Sequence, residues 1–538
     1  MMGSVREPTP VDDPRSTDDD SPKEACGVFG VYAPDQPVAH LTYLGLYALQ
    51  HRGQESAGMA VSDGEQVMVV KDMGLVSHVF DERTLAPLTG DLAIGHTRYS
   101  TTGSSTWRNA QPVYRGVGDT QFALGHNGNL VNTGDLAAAA GMLPGTVASD
   151  SDLVAEMLAA ELEAADLQND AEGSEGDGPG AGRGARLKAA LASVLPRLEG
   201  AFSFILMDES RVIGVRDPNG FRPLCLGRLD TGGWVLASES PALDVVGAHF
   251  VREVDPGEMV ILDESGVESL RPFPEERLNP KLCLFEFVYF ARPDTRLYGR
   301  SVHHARVRQG ELLAEQAPVE ADMVMGVPES GLPAAEGFAR ASGIPYGQGL
   351  VKNRYIGRTF IAPSQELRAQ GVRMKLNPLK ENLAGKRIVV VDDSVVRGTT
   401  QRQIVKMLRE SGVTEVHLRL TSPPIKWSCF YGIDTGRRSE LLAHNLTVDE
   451  IRDYLDVDSL SFITLDRLIA STGTPGSGFC DACFTGNYPV EVPISLSKGV
   501  LEGEVQSTSG GPALVPAPGS ASSLFPSHLP SDDARRTP

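Results

Sequence analysis

The chain has 538 residues, 41% of them hydrophobic, with 49 Lys and Arg against 70 Asp and Glu for a formal net charge of −21. That length supplies several domains with real cores, and the sign of the charge excludes a protein held to duplex DNA through its phosphates. The sequence holds no run of about 18 apolar residues to cross a membrane, and its six cysteines follow no apolar secretory leader, so a soluble cytosolic protein with reduced thiols is expected.

Residues 1–25 carry seven acids and three bases and read as a disordered leader. Residues 27–32 form a short apolar strand, and Leu41, Leu44, Leu46 and Leu49 mark a helix after it. Alternating segments predict strands at 68–70, 92–95 and 122–125. A helix opening at Asp150 puts Leu153, Met157, Leu158 and Leu162 on one stripe. It runs toward residues 168–186, whose acidic, Gly-rich centre predicts a flexible insertion. Strands follow at 202–207, 211–215 and 234–238. Strands and helices do not alternate strictly over 26–270, which predicts a layered α+β domain. A boundary falls near 265–280. From 280 to 498 the elements do alternate. Strands at 323–327, 387–391 and 415–420 flank helices at 332–340 and 400–410, with Ile404, Met407 and Leu408 inward. This predicts a doubly wound parallel sheet, which binds ligands at the carboxyl ends of its strands. Residues 499–538, rich in Ser, Pro and Gly, read as a disordered tail.

The most specific string is RIVVVDDSVVRGTT, residues 387–400. A buried strand runs into Asp392 and Asp393. The loop Ser394, Val395, Val396, Arg397, Gly398, Thr399, Thr400 then offers backbone N–H groups and a helix N-terminus to a phosphate. The two acids suit ribose hydroxyls or a Mg²⁺ that carries pyrophosphate. Ser330, just past another strand end, is placed to reach the same anion or its Mg²⁺. Lys352, Arg354 and Arg358 make 351–371 either a lid over an anion or a solvated basic loop.

Cys26 stands where the leader gives way to the first strand. Arg98 suits a bidentate contact to a carboxylate. The Asn127 amide and the Gly128 N–H suit an oxyanion hole, in which one donor is worth roughly 2.7–4 kcal/mol. Asp150 either takes an amino group or caps its helix. Cys480 and Cys483 form a Cys-x-x-Cys pair with no helix predicted after it, which argues against a redox pair. With Cys283 and Cys429 they make four thiolates, whose chemistry fits zinc and a [4Fe–4S] cluster equally. Cys225 reads as a core thiol.

Residues 387–400 resemble the phosphoribosyl pyrophosphate (PRPP) motif of type I phosphoribosyltransferases. The strings CGVFG, QHRGQES, GHTRYSTTG, HNGNL, SDSD and RDPNGFRPL resemble the class II, N-terminal-nucleophile glutamine amidotransferases. Together with the contexts of the four cysteines, over about residues 24–495, they resemble the cluster-bearing branch of the amidophosphoribosyltransferases. The resemblance implies an αββα-layered α+β glutaminase domain over 26–270, followed by an α/β type I phosphoribosyltransferase domain over 280–498. It implies an enzyme that forms 5-phosphoribosylamine from PRPP and glutamine, the first committed step of purine synthesis. It further implies removal of residues 1–25, so that Cys26 becomes a nucleophile whose own α-amine is the base. Arg98 and Asp150 would grip glutamine, and Asn127 and Gly128 the oxyanion. Ser330, Asp392 and Asp393 would hold one Mg²⁺ per subunit, and Ser394 to Thr400, with Lys352 and Arg354, would hold PRPP. Cys283, Cys429, Cys480 and Cys483 would hold one structural [4Fe–4S] cluster per subunit. Feedback by purine nucleotides, a homotetramer, and an ammonia channel closed by the 351–371 lid complete what the resemblance implies.

Overall fold

The computed structural model describes residues 26–99, 106–143, 145–172, 181–353, 373–435, 437–475 and 478–493. Residues 26–493 belong to one compact unit. The strands of its first half are β1 (Gly27–Tyr32), β2 (Ser56–Ser62), β3 (Val67–Met73), β4 (Leu92–Arg98), β5 (Val113–Val117), β6 (Thr120–Leu130), β7 (Gly200–Met207), β8 (Val212–Arg216), β9 (Cys225–Leu229), β10 (Trp234–Ala237), β11 (Ala248–Glu253), β12 (Met259–Asp263) and β13 (Gly266–Leu270). They build two antiparallel sheets, in the orders β11-β9-β10-β1-β4-β2-β3 and β13-β12-β8-β7-β6-β5.

The two sheets stack face to face, and β1 shows why. Its residues alternate, as strand geometry requires. Val28 faces inward to join Ala60, Ile94, Ile205, Met207 and Leu236 between the sheets. Phe29 and Val31 face outward onto Leu46 and Leu49 of helix α1 (Val38–Ala48) and its end. At Gly30 the sheets come so close that a Cβ would stand 2.7 Å from Ile205 Cδ1. The second sheet is covered by α2 (Asp150–Glu172) and α3 (Ala181–Val194). Leu153, Met157, Leu158 and Leu191 of these helices pack on Phe122, Phe202 and Phe204. The result is the αββα layering expected.

Several sequence readings shift in detail. Leu44, one of the leucines that mark α1, is 39% exposed. The strand predicted at 122–125 runs on to Leu130. At the boundary predicted near 265–280, Gly266–Leu270 pairs with β12 and so joins the second sheet. The expected insertion at 168–186 is entered by helix from both sides, as α2 extends to Glu172 and α3 starts at Ala181.

The second half contains α4 (Val302–Gln316), β14 (Met323–Gly326), α5 (Leu332–Ser342), β15 (Arg387–Asp392), α6 (Thr399–Glu410), β16 (Glu415–Leu420), α7 (Val448–Leu455), β17 (Ser459–Phe462) and α8 (Leu465–Thr472). The four strands form a parallel sheet in the order β14-β15-β16-β17. Alternate residues of β15 feed opposite cores. Val389 and Val391 meet Leu313, Phe338 and Leu468. Ile388 and Val390 meet Ile404, Leu408, Ile451 and Leu455. Helices on both faces of a parallel sheet are the doubly wound arrangement. Among the described residues no helix is long and apolar enough to cross a membrane.

Candidate functional site

Cys26 immediately precedes β1, the central strand of its sheet, and is 5% exposed. Its thiol donates to the Tyr99 carbonyl at 3.3 Å and accepts from the Tyr99 N–H at 3.4 Å. Burial pushes the thiol pKa up to about 11, against the opposing effects of the Tyr99 hydrogen bond and the Arg98 charge. A thiol so held does not ionise by itself near neutrality.

Arg98, Gly128 and Asp150 line one cleft with Cys26, together with Tyr99, Gln111, His126 and Ser151. Arg98 ends β4, with Glu55 at 3.8 Å. Asp150 opens α2, and its carboxylate accepts from the N–H groups of Leu130 and Ser151 at 3.2 and 2.9 Å. Burial raises its pKa, but the His126 ring and these hydrogen bonds outweigh that and hold it below the usual carboxylate range. The anion is thus ready for a cationic partner.

Asn127 and Gly128 lie within β6, paired with Ser203 and Phe202. The Asn127 Nδ2 reaches Ser238 Oγ only at 3.5 Å, and its Oδ1 has no partner among the described residues. A Cβ at Gly128 would stand 2.0 Å from the Ala201 carbonyl oxygen, so only glycine fits there.

The phosphate loop follows β15. Asp392 and Asp393 are both buried. The Asp392 carboxylate accepts from the Asp393 N–H at 2.9 Å and from the Gln401 amide, and the Ser330 hydroxyl also bonds to it. Burial first, and the neighbouring Asp393 second, raise the Asp392 pKa well above normal. Two buried acids with that bias favour a cation. Val395 and Val396 turn into opposite cores, which leaves the loop's backbone to face a ligand. Arg397 pairs with Glu440 at 2.8 Å. Gly398 has φ +81°, and a Cβ there would meet Leu442 at 2.8 Å. Lys352 is exposed on a short ribbon, Leu350–Lys352 against Leu376–Pro378. Arg354, Arg358 and most of the predicted lid lie outside the described residues.

Among the described residues no three His, Cys, Asp or Glu side chains are spaced to hold a single metal ion. The four cysteines in question are Cys283, Cys429, Cys480 and Cys483. They are still neighbours. Cys283 and Cys480 pair in a two-residue parallel ladder, and the Cys483 carbonyl accepts from the N–H groups of Lys426 and Trp427. Burial raises all four thiol pKa values, and Cys483 feels the charges of Cys283, Cys429 and Cys480 in addition. Four such thiols are the donor type that both zinc and an iron–sulfur cluster take. A one-turn helix, Ala482–Thr485, does follow Cys480, contrary to the sequence reading, and ends at Gly486. Cys225 is a core thiol, donating to the Ala237 carbonyl at 3.3 Å.

Comparison with known proteins bears on both halves. The glutamine amidotransferase domain family matches residues 183–245, and the phosphoribosyl transferase domain family matches residues 309–421. The chain is 53% identical to the amidophosphoribosyltransferase of Mycobacterium tuberculosis over 509 residues, 92% of each chain. It is 50% identical to that of a Synechocystis species, over 90% of this chain and 94% of that one. The chain belongs to the amidophosphoribosyltransferase family. The glutamine PRPP amidotransferase from B. subtilis, solved with ADP and GMP, has a TM-score of 0.77 and 43% identity, and it covers 89% of this chain and all of that one.

An amidophosphoribosyltransferase has to join two chemistries, and here a buried charge network joins the two halves. Glu286 accepts from Arg52 at 2.6 Å and faces Arg222 Nη2 at 2.8 Å. Glu239 takes Arg52 Nε, His51 Nε2, Thr295 Oγ1 and the Arg292 N–H. Arg306, donating to the carbonyls of Phe287 and Ala291, completes it. The strings QHRGQES and RDPNGFRPL contain Arg52 and Arg222, but nothing in them names Glu286 as the shared partner. His126, Gln111 and Gln401 were also missed. Only His126, inside HNGNL, carried a signal.

Proposed function

We propose that this chain makes 5-phosphoribosylamine from PRPP and glutamine, releasing glutamate and pyrophosphate. The observation that carries the reading is that a buried thiol in a cleft with Arg98 and Asp150 shares one compact unit with a paired-acid phosphate loop. Cleavage between Ala25 and Cys26 frees an α-amine of pKa about 7.7–8.0. That amine takes the Cys26 proton, which burial otherwise retains. The sulfur attacks the glutamine amide carbon, and the Asn127 amide and the Gly128 N–H hold the oxyanion. Collapse breaks the C–N bond, and the amine returns its proton to the leaving ammonia. Water then attacks the thioester and releases glutamate. Arg98 holds the glutamine carboxylate and Asp150 its ammonium.

At the second site the backbone from Ser394 to Thr400 holds the 5-phosphate. Ammonia attacks the anomeric carbon, and the bond to pyrophosphate breaks. A Mg²⁺ bound by Asp392, Asp393 and Ser330 would neutralise charge on that leaving group. Cys283, Cys429, Cys480 and Cys483 would hold a [4Fe–4S] cluster as a structural cross-link. Purine nucleotides as feedback inhibitors and a homotetramer belong to the same reading.

The test is anaerobic purification with N-terminal sequencing, iron and sulfide analysis, and a pyrophosphate-release assay on one sample. The expected result is an amino-terminal cysteine, four irons per chain, and pyrophosphate released only when PRPP is present with glutamine or ammonia. An intact leader on active enzyme would remove the amine from the mechanism.

A further inference from the structure

The loop that carries Cys429 also touches the oxyanion strand. The Asn129 side chain, next to Gly128 on β6, donates to the Phe430 carbonyl at 3.0 Å. Two residues further on, a Cβ at Gly432 would stand 3.0 Å from the Gly128 Cα. Between them Tyr431 stacks on Phe221 at 4.3 Å, and packs with Val131 and Ala201. Ala201 is the β7 partner of Asn129, and its carbonyl oxygen fills the space where Gly128 lacks a side chain. The loop therefore covers β6 and β7 at the residues that fix the Gly128 N–H.

The same loop is shaped from its other side. The Cys429 sulfur accepts from the Tyr431 N–H at 3.4 Å, and the Cys429 N–H donates to Thr435 Oγ1 at 2.9 Å. The Tyr431 hydroxyl donates to the Val490 carbonyl at 2.5 Å and accepts from the Val490 N–H at 3.0 Å. The Tyr488 hydroxyl donates to the Ser428 carbonyl at 2.6 Å. Four consecutive residues thus link a thiol of the four-cysteine site to the backbone of the oxyanion strand.

We propose that residues 429–432 are the positioning element of the glutaminase oxyanion hole, with Asn129 as its anchor on β6. The hole works only if its donors point at the oxyanion beforehand. Gly128 has no side chain to wedge its peptide in place, so the peptide depends on what lies against it. A Cβ at Gly432 would meet the Gly128 Cα and carbonyl carbon at 3.0 and 3.1 Å, so the loop backs that residue, and the Asn129 bond holds the loop in register. This role rests on the proposed function, because it presumes that Gly128 serves glutamine hydrolysis. It uses only residues of the chain, whatever the four thiols hold.

The experiment uses the full-length enzyme with Asn129→Ala and Asn129→Asp, the second keeping the volume but losing the donor. Glutamate release, ammonia-dependent phosphoribosylamine formation and alkylation of Cys26 by iodoacetamide are measured on each. The expected result is a fall in kcat for glutamate release of about tenfold or more, with KM for glutamine within about twofold. Ammonia-dependent activity and the alkylation rate stay at the parent level. Either an unchanged kcat in both variants or a parallel fall of both activities overturns the role. A parent enzyme that releases no glutamate overturns the proposed function itself, and this role with it.

Discussion

Glu286→Gln is the sharpest probe of how the halves are joined. Glu286 is fully buried and lies within 2.6 and 2.8 Å of two guanidinium groups, on Arg52 and Arg222. Both arginines are also buried, and the Arg306 guanidinium is close enough for Glu286 to raise its pKa. Glutamine preserves the shape and one acceptor, so what is lost is charge. Arg52 would then keep only its pair with Glu239, and Arg222 would lose the carboxylate it faces. A charge pair at about 4 Å is worth about 4 kcal/mol at an effective dielectric of 20. Removing one member of a buried pair typically costs about 3–5 kcal/mol, and that range is the expected loss of stability here. Denaturant unfolding followed by tryptophan fluorescence reads it. Adding Arg222→Met should then cost little or partly restore stability, because it removes an unpaired charge. The coupling between the two substitutions should exceed about 1.5 kcal/mol. A single variant within about 1 kcal/mol of the parent, or two costs that simply add, would refute the picture of a shared carboxylate.

Three further outcomes are expected. Asn127→Ala should lower glutamine-dependent kcat by about 10²–10³-fold and leave ammonia-dependent synthesis intact; an equal loss of both would remove Asn127 from the oxyanion hole. Asp392 has its folded-state pKa raised, so its contribution favours the fold at low pH and fades as pH climbs from the ordinary aspartate value through the raised one. Melting curves of Asp392→Asn should lack that decline, and Mg²⁺ should stabilise the parent more than the variant. Cys483→Ser, purified anaerobically, should carry far less iron than the parent; undiminished iron would exclude Cys483 as a ligand.

Much of the site was legible because its residues sit where regular elements end. Asp392 and Asp393 close an apolar strand, Asp150 opens a striped helix, and Cys26 stands at the edge of a charged leader. Asn127 and Gly128 were singled out from the sequence, but the predicted strand ended at 125, short of both. A polar string inside a strand is hidden from any reading based on alternating apolar residues. The β17 strand, Ser-Leu-Ser-Phe, escaped through its shortness. The network around Glu286 was illegible in principle. Arg52 and His51 reach their carboxylates across 187 or more residues, and no local pattern encodes such pairings. The hold of Phe430 and Gly432 on β6 is of that kind too, across 301 residues from Asn129.

The place of β1 in its sheet also sets a timetable for synthesis. Its hydrogen-bonded neighbours are β4 and β10. β10 leaves the ribosome roughly 200 residues after β1, which at about 5–20 residues per second is a delay of about 10–40 s. Through that interval the nascent strand has one edge unpaired. The order of strands along the chain fixes how long that edge stays unpaired, and a change in translation speed between residues 32 and 234 would lengthen or shorten it without altering the finished protein.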